Sequence, residues 1–402
     1  MFIANTLPER GAPLDPADAA IVDGAAADAV ERWLSTRDGA EPTPLHALPA
    51  LAASLGIASL HVKDEGARLG LGSFKALGGA YAVARLVLEE AERRLGRRLG
   101  VEDLGTPDVR AVAATMTFAC ATDGNHGRSV AQGAGLCGAR AAIFVHEGVS
   151  DGRVAAIARY GAEMIRVAGT YDDSVETAAA VAARNGWTVV SDTAWPGYER
   201  IPGLVMQGYT VLAREALAAM PAPPTHVFLQ AGVGGFAAAV AGYLADALGQ
   251  QRPVTVVVEP ARAACLLGSA HAGRRVRIDH AGATVMAMLE CNEPSLVAWR
   301  MLARLADGFM TVDEDDAVAA MNRLALPLPG DPAIVAGESG CVGYAGLAAA
   351  LSDPRAAGTL GLGPKSRVLV VNTEGATDPA VYRDLVGRAP EDVRTGAGGV
   401  LP

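Results

Sequence analysis

Gly70-Leu71-Gly72-Ser73-Phe74-Lys75-Ala76-Leu77-Gly78-Gly79 sets one lysine between a glycine-rich turn and an apolar, alanine-rich stretch. Ala76, Leu77, Ala80, Tyr81, Val83, Ala84, Leu86 and Val87 follow at helical spacing, so Lys75 stands at a loop-to-helix junction facing the interior. Burial there disfavours the ammonium, lowers its pKa and leaves a nucleophilic amine of the kind Schiff-base chemistry uses. A lysine in that place can equally lay its stem over the core and keep its head in water. The order of the other segments decides between the two.

Working outward, residues 59–65 read as a short strand that ends in charge just before the lysine loop, with a helix near 48–55 ahead of it. From Val109 onward, short β-branched or apolar runs alternate with Ala-rich helices, the pattern of a doubly wound α/β sheet. The expected strands are 112–117, 141–145, 163–167 and 188–191, with helices near 127–134, 150–160 and 171–185. A second series comprises strands at 226–229, 254–258, 301–305 and 367–371. Its helices run over 235–248, from Ala261, over 313–324 and near 343–351. Residues 1–43, with one amphipathic stretch around 19–34, form an arm expected to pack on the body or on a second subunit. The Gly-rich end at 396–399 reads as disordered.

Chemistry-bearing residues fall where these strands meet helices. Ala121-Thr122-Asp123-Gly124-Asn125-His126-Gly127 lies between a strand and a helix, where free N–H groups and the helix dipole favour an anion such as a carboxylate. An Asx turn capped by Asp123 would read the same way. Gln230-Ala231-Gly232-Val233-Gly234-Gly235-Phe236 joins a strand to a helix and can cradle one phosphate; it carries neither the P-loop Lys-Ser/Thr nor a full GxGxxG. Val256-Val257-Val258-Glu259-Pro260 and Val370-Val371-Asn372-Thr373-Glu374-Gly375 end strands at the same sheet edge, so both should reach one crevice.

Taken together, a lysine after Ser-Phe, a GNHG loop, a GVGG turn, a Val-Val-Glu-Pro strand and a late Asn-Thr-Glu-Gly strand resemble the fold-type II enzymes that use pyridoxal 5′-phosphate, whose fold is like that of the tryptophan synthase β subunit. Among these, several motifs are similar to the diaminopropionate ammonia-lyase family. They include Lys63-Asp64-Glu65, Thr122-Asp123-Gly124-Asn125-His126-Gly127-Arg128 and Asp192-Thr193-Ala194-Trp195. Met206-Gln207-Gly208-Tyr209, Cys291-Asn292-Glu293-Pro294-Ser295 and Gly337-Glu338-Ser339-Gly340 extend the likeness, which runs from about residue 40 to about 385. The implied architecture is two doubly wound α/β domains with open twisted sheets. Residues 1–80 and 206–402 would form the larger, cofactor-binding domain and residues 81–205 the smaller.

The resemblance also implies roles. Lys75 would hold the cofactor covalently, with Phe74 beside it. Asn125 would hydrogen-bond its 3′-oxygen, and Gly232, Val233, Gly234 and Gly235 would bind its phosphate through main-chain N–H groups. Thr373 would face the ring nitrogen, a neutral partner that leaves a weaker electron sink suited to β-elimination. Thr122, Gly124 and His126 would hold the substrate carboxylate. Asp192 and Asp123 would act as bases, for the L and D enantiomers respectively, and would attract a substrate with two ammonium groups. Gly66, Ala67, Gly72 and Pro196 depart from the usual pattern of the family. A serine or threonine dehydratase of the same fold shares every cofactor residue but not the two acids. A non-catalytic pyridoxal-binding protein would not need them, and a nicotinamide-dependent Rossmann enzyme lacks its fingerprint here.

Composition sets the remaining bounds. The 402 residues, half of them apolar and 5% aromatic, are enough for two sizeable cores. A net charge of −10, from 34 basic and 44 acidic residues, argues against nucleic acid and anionic membranes as general partners. The five cysteines show no metal spacing and read as thiols of a reducing compartment; a Cys265–Cys291 bond is the one pairing to check. We find no charged-then-apolar leader and no apolar run of membrane-spanning length, and expect a cytoplasmic homodimer that binds a small amino acid and no metal.

Overall fold

In the computed structural model, which describes residues 1–122 and 124–395, eleven strands form two sheets. In chain order they are β1 (Phe2–Ala4), β2 (Leu45–Ala47), β3 (Ser59–Asp64), β4 (Thr117–Ala121), β5 (Arg140–His146) and β6 (Glu163–Val167). β7 (Thr188–Val189), β8 (His226–Gln230), β9 (Val254–Pro260), β10 (Gly308–Val312) and β11 (Arg367–Asn372) follow. The larger sheet runs β1-β10-β9-β8-β11-β3-β2 and is parallel except at its two edge strands. The smaller sheet, β6-β5-β4-β7, is parallel throughout. Parallel strands need covered faces, which is why β8, β9 and β11 are almost continuously apolar.

One helix joins the two sheets. Lys75–Leu95 starts at the C-terminal end of the larger sheet and buries Leu77, Ala80, Tyr81, Val83, Ala84 and Val87. It crosses helix Asn125–Cys137, which follows β4, so closely that a Cβ on Gly133 would lie 2.6 Å from the Cα of Ala80. The Ala80 N–H donates across this crossing to Ser129 Oγ at 2.9 Å.

Most expected elements occur within a few residues of their places, and four differ. Residues 112–116 are not a strand. Pro107 opens helix Pro107–Ala113, with Val109, Val112 and Ala113 buried, and the strand follows as β4. Residues 301–305 end the helix Leu296–Leu305, whose Val297, Ala298, Met301, Leu302 and Leu305 repeat at helical spacing and are buried; the strand is β10. The helix expected from Ala261 begins at Cys265, after a turn behind Pro260. The 19–34 stretch is two helices, Pro16–Val22 and Gly24–Leu34, parted at Asp23, whose carboxylate caps the Ala26 N–H at 2.7 Å. The arm packs on the body: β1 extends the larger sheet, and Asp18 pairs with Arg300 through two bonds of 2.6 Å. All five cysteines are free thiols, so Cys265 and Cys291 are not bonded. Among the described residues, no helix is long and apolar enough to cross a membrane. The expectation for residues 396–399 lies outside the described residues.

Candidate active site

β3, β8, β9 and β11 of the larger sheet, and β4 and β7 of the smaller, run parallel within their sheets, and the functional loops leave their C-terminal ends. The lysine loop is tied to the end of β11: the Phe74 N–H donates to the Thr373 carbonyl (2.9 Å) and the Gly375 N–H to that of Gly72 (3.0 Å), with Ser73 paired to Glu374. Phe74 packs its ring at 4.7 Å from both Tyr209 and Phe236. Lys75 therefore enters its helix from a braced loop.

Its ammonium meets Asp192 Oδ2 at 2.7 Å, with both side chains about four-fifths covered. This corrects the expectation of a lowered lysine pKa. Burial does pull Lys75 down, but the Asp192 charge, the nearby Tyr209 and the hydrogen bond together carry it above its ordinary value. Burial pushes Asp192 up, and the charge and hydrogen bond of Lys75 overcome that and hold it well below the usual carboxylate range. A buried lysine beside a carboxylate stays charged.

The β4 loop closes on itself. Thr122 Oγ1 accepts from the N–H groups of Gly124 (3.1 Å) and Gly127 (3.2 Å). His126, at the start of the helix, bonds the Val190 carbonyl through Nε2 (2.9 Å), which makes that nitrogen the donor and leaves Nδ1 as a bare acceptor 3.9 Å from Asp192 Oδ2. Burial lowers its pKa. Asp123 lies outside the described residues.

On the other side, Gly234 has φ +94° and caps the helix Gly235–Leu248, a left-handed turn that only glycine adopts cheaply. A Cβ on Gly232 would lie 3.0 Å from Cys291 Sγ and 3.3 Å from Leu289 Cα, so this backbone lies open only in the absence of a side chain. Thr373 Oγ1 accepts from Gln230 Nε2 at 3.0 Å. Glu374 was expected at this edge but given no role in the sequence, and Gln230 was missed as a site residue: it ends the apolar run of β8 and reads there as core, a polar residue closing such a run being the available signal. Glu259, expected in the crevice, turns away instead: its carboxylate accepts the N–H groups of Leu266 and Leu267 at 2.7 and 2.8 Å.

The sequence matches the pyridoxal-phosphate-dependent enzyme family over residues 36–374. The chain belongs to that family. Diaminopropionate ammonia-lyase of Escherichia coli (strain K12) is 42% identical over 87% of this chain and 88% of its own length. The Salmonella typhimurium enzyme of that name is 39% identical over 86% and 87%. The crystal structure of the holo E. coli diaminopropionate ammonia lyase matches with TM-score 0.86 and 38% identity over 96% of each chain. This is the fold-type II architecture, and the cofactor of the family is pyridoxal 5′-phosphate.

The residues present fit that group. They include a lysine amine, a glycine turn opening a helix of fourteen residues, and two buried polar atoms without a protein hydrogen bond, Glu374 Oε1 and His126 Nδ1. An amine for covalent attachment, N–H groups for a phosphate and polar groups for a ring are the donor set such a cofactor requires.

Proposed function

We propose that this pyridoxal-phosphate-dependent enzyme is a carbon–nitrogen lyase that converts 2,3-diaminopropionate (D, L or both) and water into pyruvate and two ammonia. The observation carrying the reading is the contact of Asp192 with Lys75: a carboxylate stands within hydrogen-bond reach of the cofactor's lysine, where a base for the Cα proton is needed. It is also an attraction for a substrate bearing a second ammonium group. The ammonia-lyase relatives support the same reaction.

In this reading Lys75 holds the cofactor and reclaims it at the end of the cycle. Phe74 packs beside it, Asn125 donates to the 3′-oxygen, and Gly232, Val233, Gly234 and Gly235 hold the phosphate by their main-chain N–H groups. The bound cofactor supplies an acceptor for the electron pair left at Cα. Thr373 presents a hydroxyl to the ring nitrogen; that hydroxyl accepts from Gln230, so its own proton points onward. Thr122, Gly124 and His126 hold the substrate carboxylate at the start of helix Asn125–Cys137. Asp192 takes the Cα proton of the L substrate and Asp123 that of the D substrate, from opposite faces, and the β-nitrogen departs as ammonia. The same reading assigns residues 1–80 and 206–402 to a larger domain and 81–205 to a smaller one, in a cytoplasmic homodimer.

Release of the 2-oxo acid, pyruvate from D- and L-2,3-diaminopropionate and from serine and 2-oxobutyrate from threonine, tests the proposal. Fastest release from diaminopropionate is expected; preference for serine or threonine would make the protein a dehydratase. A protein that binds the cofactor and turns over none of the four would be a non-catalytic binder.

A further inference from the structure

Glu374 is the second residue beyond β11, 2% exposed, and its two carboxyl oxygens have different surroundings. Oε2 accepts from Asn125 Nδ2 at 2.6 Å, across 249 positions of sequence and from the larger sheet to the smaller. Oε1 is buried with no protein partner. The backbone of the same residue pairs with Ser73 in the lysine loop, and its carbonyl accepts from the Gly337 N–H at 2.9 Å. One residue thus touches three segments of the site: the lysine loop, the 337–340 turn and the start of helix Asn125–Cys137.

We propose that Glu374 is a positioning residue for the cofactor: by accepting one N–H of the Asn125 amide it fixes which way that amide faces and aims the second N–H at the cofactor's 3′-oxygen. The proposal rests on the reading of Asn125 given above. An asparagine amide has two N–H donors and can flip end for end; with the acid proton on the partnerless Oε1, Oε2 faces Asn125 as an acceptor and disfavours the flipped state, in which the amide oxygen would meet it. Buried polar atoms without partners are rare in folded proteins, so Oε1 marks a place where a bound group completes the network.

The surroundings favour a carboxyl that stays protonated near neutrality. Burial first and the charge of the buried Glu338 second raise its pKa, to about 8 once every neighbour is counted. Asn125, Lys75 and Arg153 act in the opposite direction. Arg128 and the Cys341 thiol also lie within its field. A protonated acid keeps one oxygen as acceptor for Asn125 and lets the other donate, so glutamine can replace it in kind.

The test uses purified protein titrated with pyridoxal 5′-phosphate, reading the dissociation constant and the visible absorbance band. For Glu374→Ala we expect weakening of about tenfold, the worth of one buried hydrogen bond, and a displaced band. Glu374→Gln should stay within about threefold, by the same reasoning, with the parent band. Asn125→Ala should show the same loss as Glu374→Ala, and the double variant no further loss, because the two act as a unit. A parent-like Glu374→Ala beside an impaired Asn125→Ala would overturn the inference and leave the reading of Asn125 standing. A parent-like Asn125→Ala would overturn that reading and the inference with it. Should Glu374→Ala not fold, Glu374→Met carries the same comparison, and a Glu374→Gln as impaired as Asn125→Ala would refute the proposal.

Discussion

The ammonium of Lys75 and the carboxylate of Asp192 meet at 2.7 Å, joining the first turn of the lysine helix to the segment after β7 across 117 positions of sequence. Two ions that would each be costly in that place become a pair, and the pair keeps its charge over a wide pH range. Lys75, raised above its ordinary 10.5, contributes stability that is complete below that value and is lost as pH climbs through the folded-state value above it. Asp192, lowered below its ordinary 3.8, contributes stability that is complete above that value and is lost as pH falls through the lowered one. Asp192→Asn should therefore cost the cofactor-free protein about 2 kcal/mol, nearly constant across the neutral range. Thermal unfolding at pH 5, 7 and 9 measures this; a cost that vanishes at any of the three would refute the pairing.

Lys75→Ala should abolish pyruvate release from diaminopropionate and remove the visible absorbance of covalently held cofactor. A variant that keeps both would exclude Lys75 from the reaction.

Asp192→Asn should slow the L substrate by about 10²–10⁴-fold while sparing the D substrate, and Asp123→Asn should do the reverse. Equal losses on both enantiomers in both variants would rule out two bases on opposite faces.

Gly234→Ala forces a Cβ onto a residue at φ +94°, against Leu266, Ala298 and Leu302 at 3.1–3.2 Å. We expect at least about 1–2 kcal/mol of lost stability from the left-handed backbone alone, together with weaker cofactor binding. Calorimetry of the cofactor-free variant and a cofactor titration separate the two effects.

Glu215 lies beyond the site and closes a buried network. It accepts from Arg68 at 2.6 and 3.0 Å and from Lys63, while Glu65 takes two further bonds of 2.8 Å from Arg68. Removing one anion leaves two buried cations to share the other. Glu215→Ala should cost about 3–5 kcal/mol, read from urea unfolding. A cost under 1 kcal/mol would show that water reaches the cations.

Much of this was legible in the sequence because the deciding residues are local. Helix Gly235–Leu248 is bounded by its own glycines, and β3, β8 and β11 by their apolar runs. The misplaced strands have one physical origin. Five residues such as 301–305 look alike in a strand and at the end of a helix, and only the longer window reaching back to Leu296 shows the period. Tertiary meaning was harder to see. A Cβ on Gly66 would lie 3.3 Å from both Asn372 Nδ2 and Gly375 Cα, a closeness created by segments some 300 residues apart. The partners of Glu259 and Glu374 were invisible for the same reason: both acids close apolar strands, and only the fold shows that one serves its own helix and the other reaches across to Asn125.

The strand order of the larger sheet fixes a timetable for synthesis. β3 pairs with β11, and β1 with β10, so segments made first must wait for partners made some three hundred residues later. β4 through β7, by contrast, finds every neighbour within residues 117–189. As the chain leaves the ribosome the smaller sheet can close early, while the start of the chain stays unpaired until nearly the whole protein has emerged.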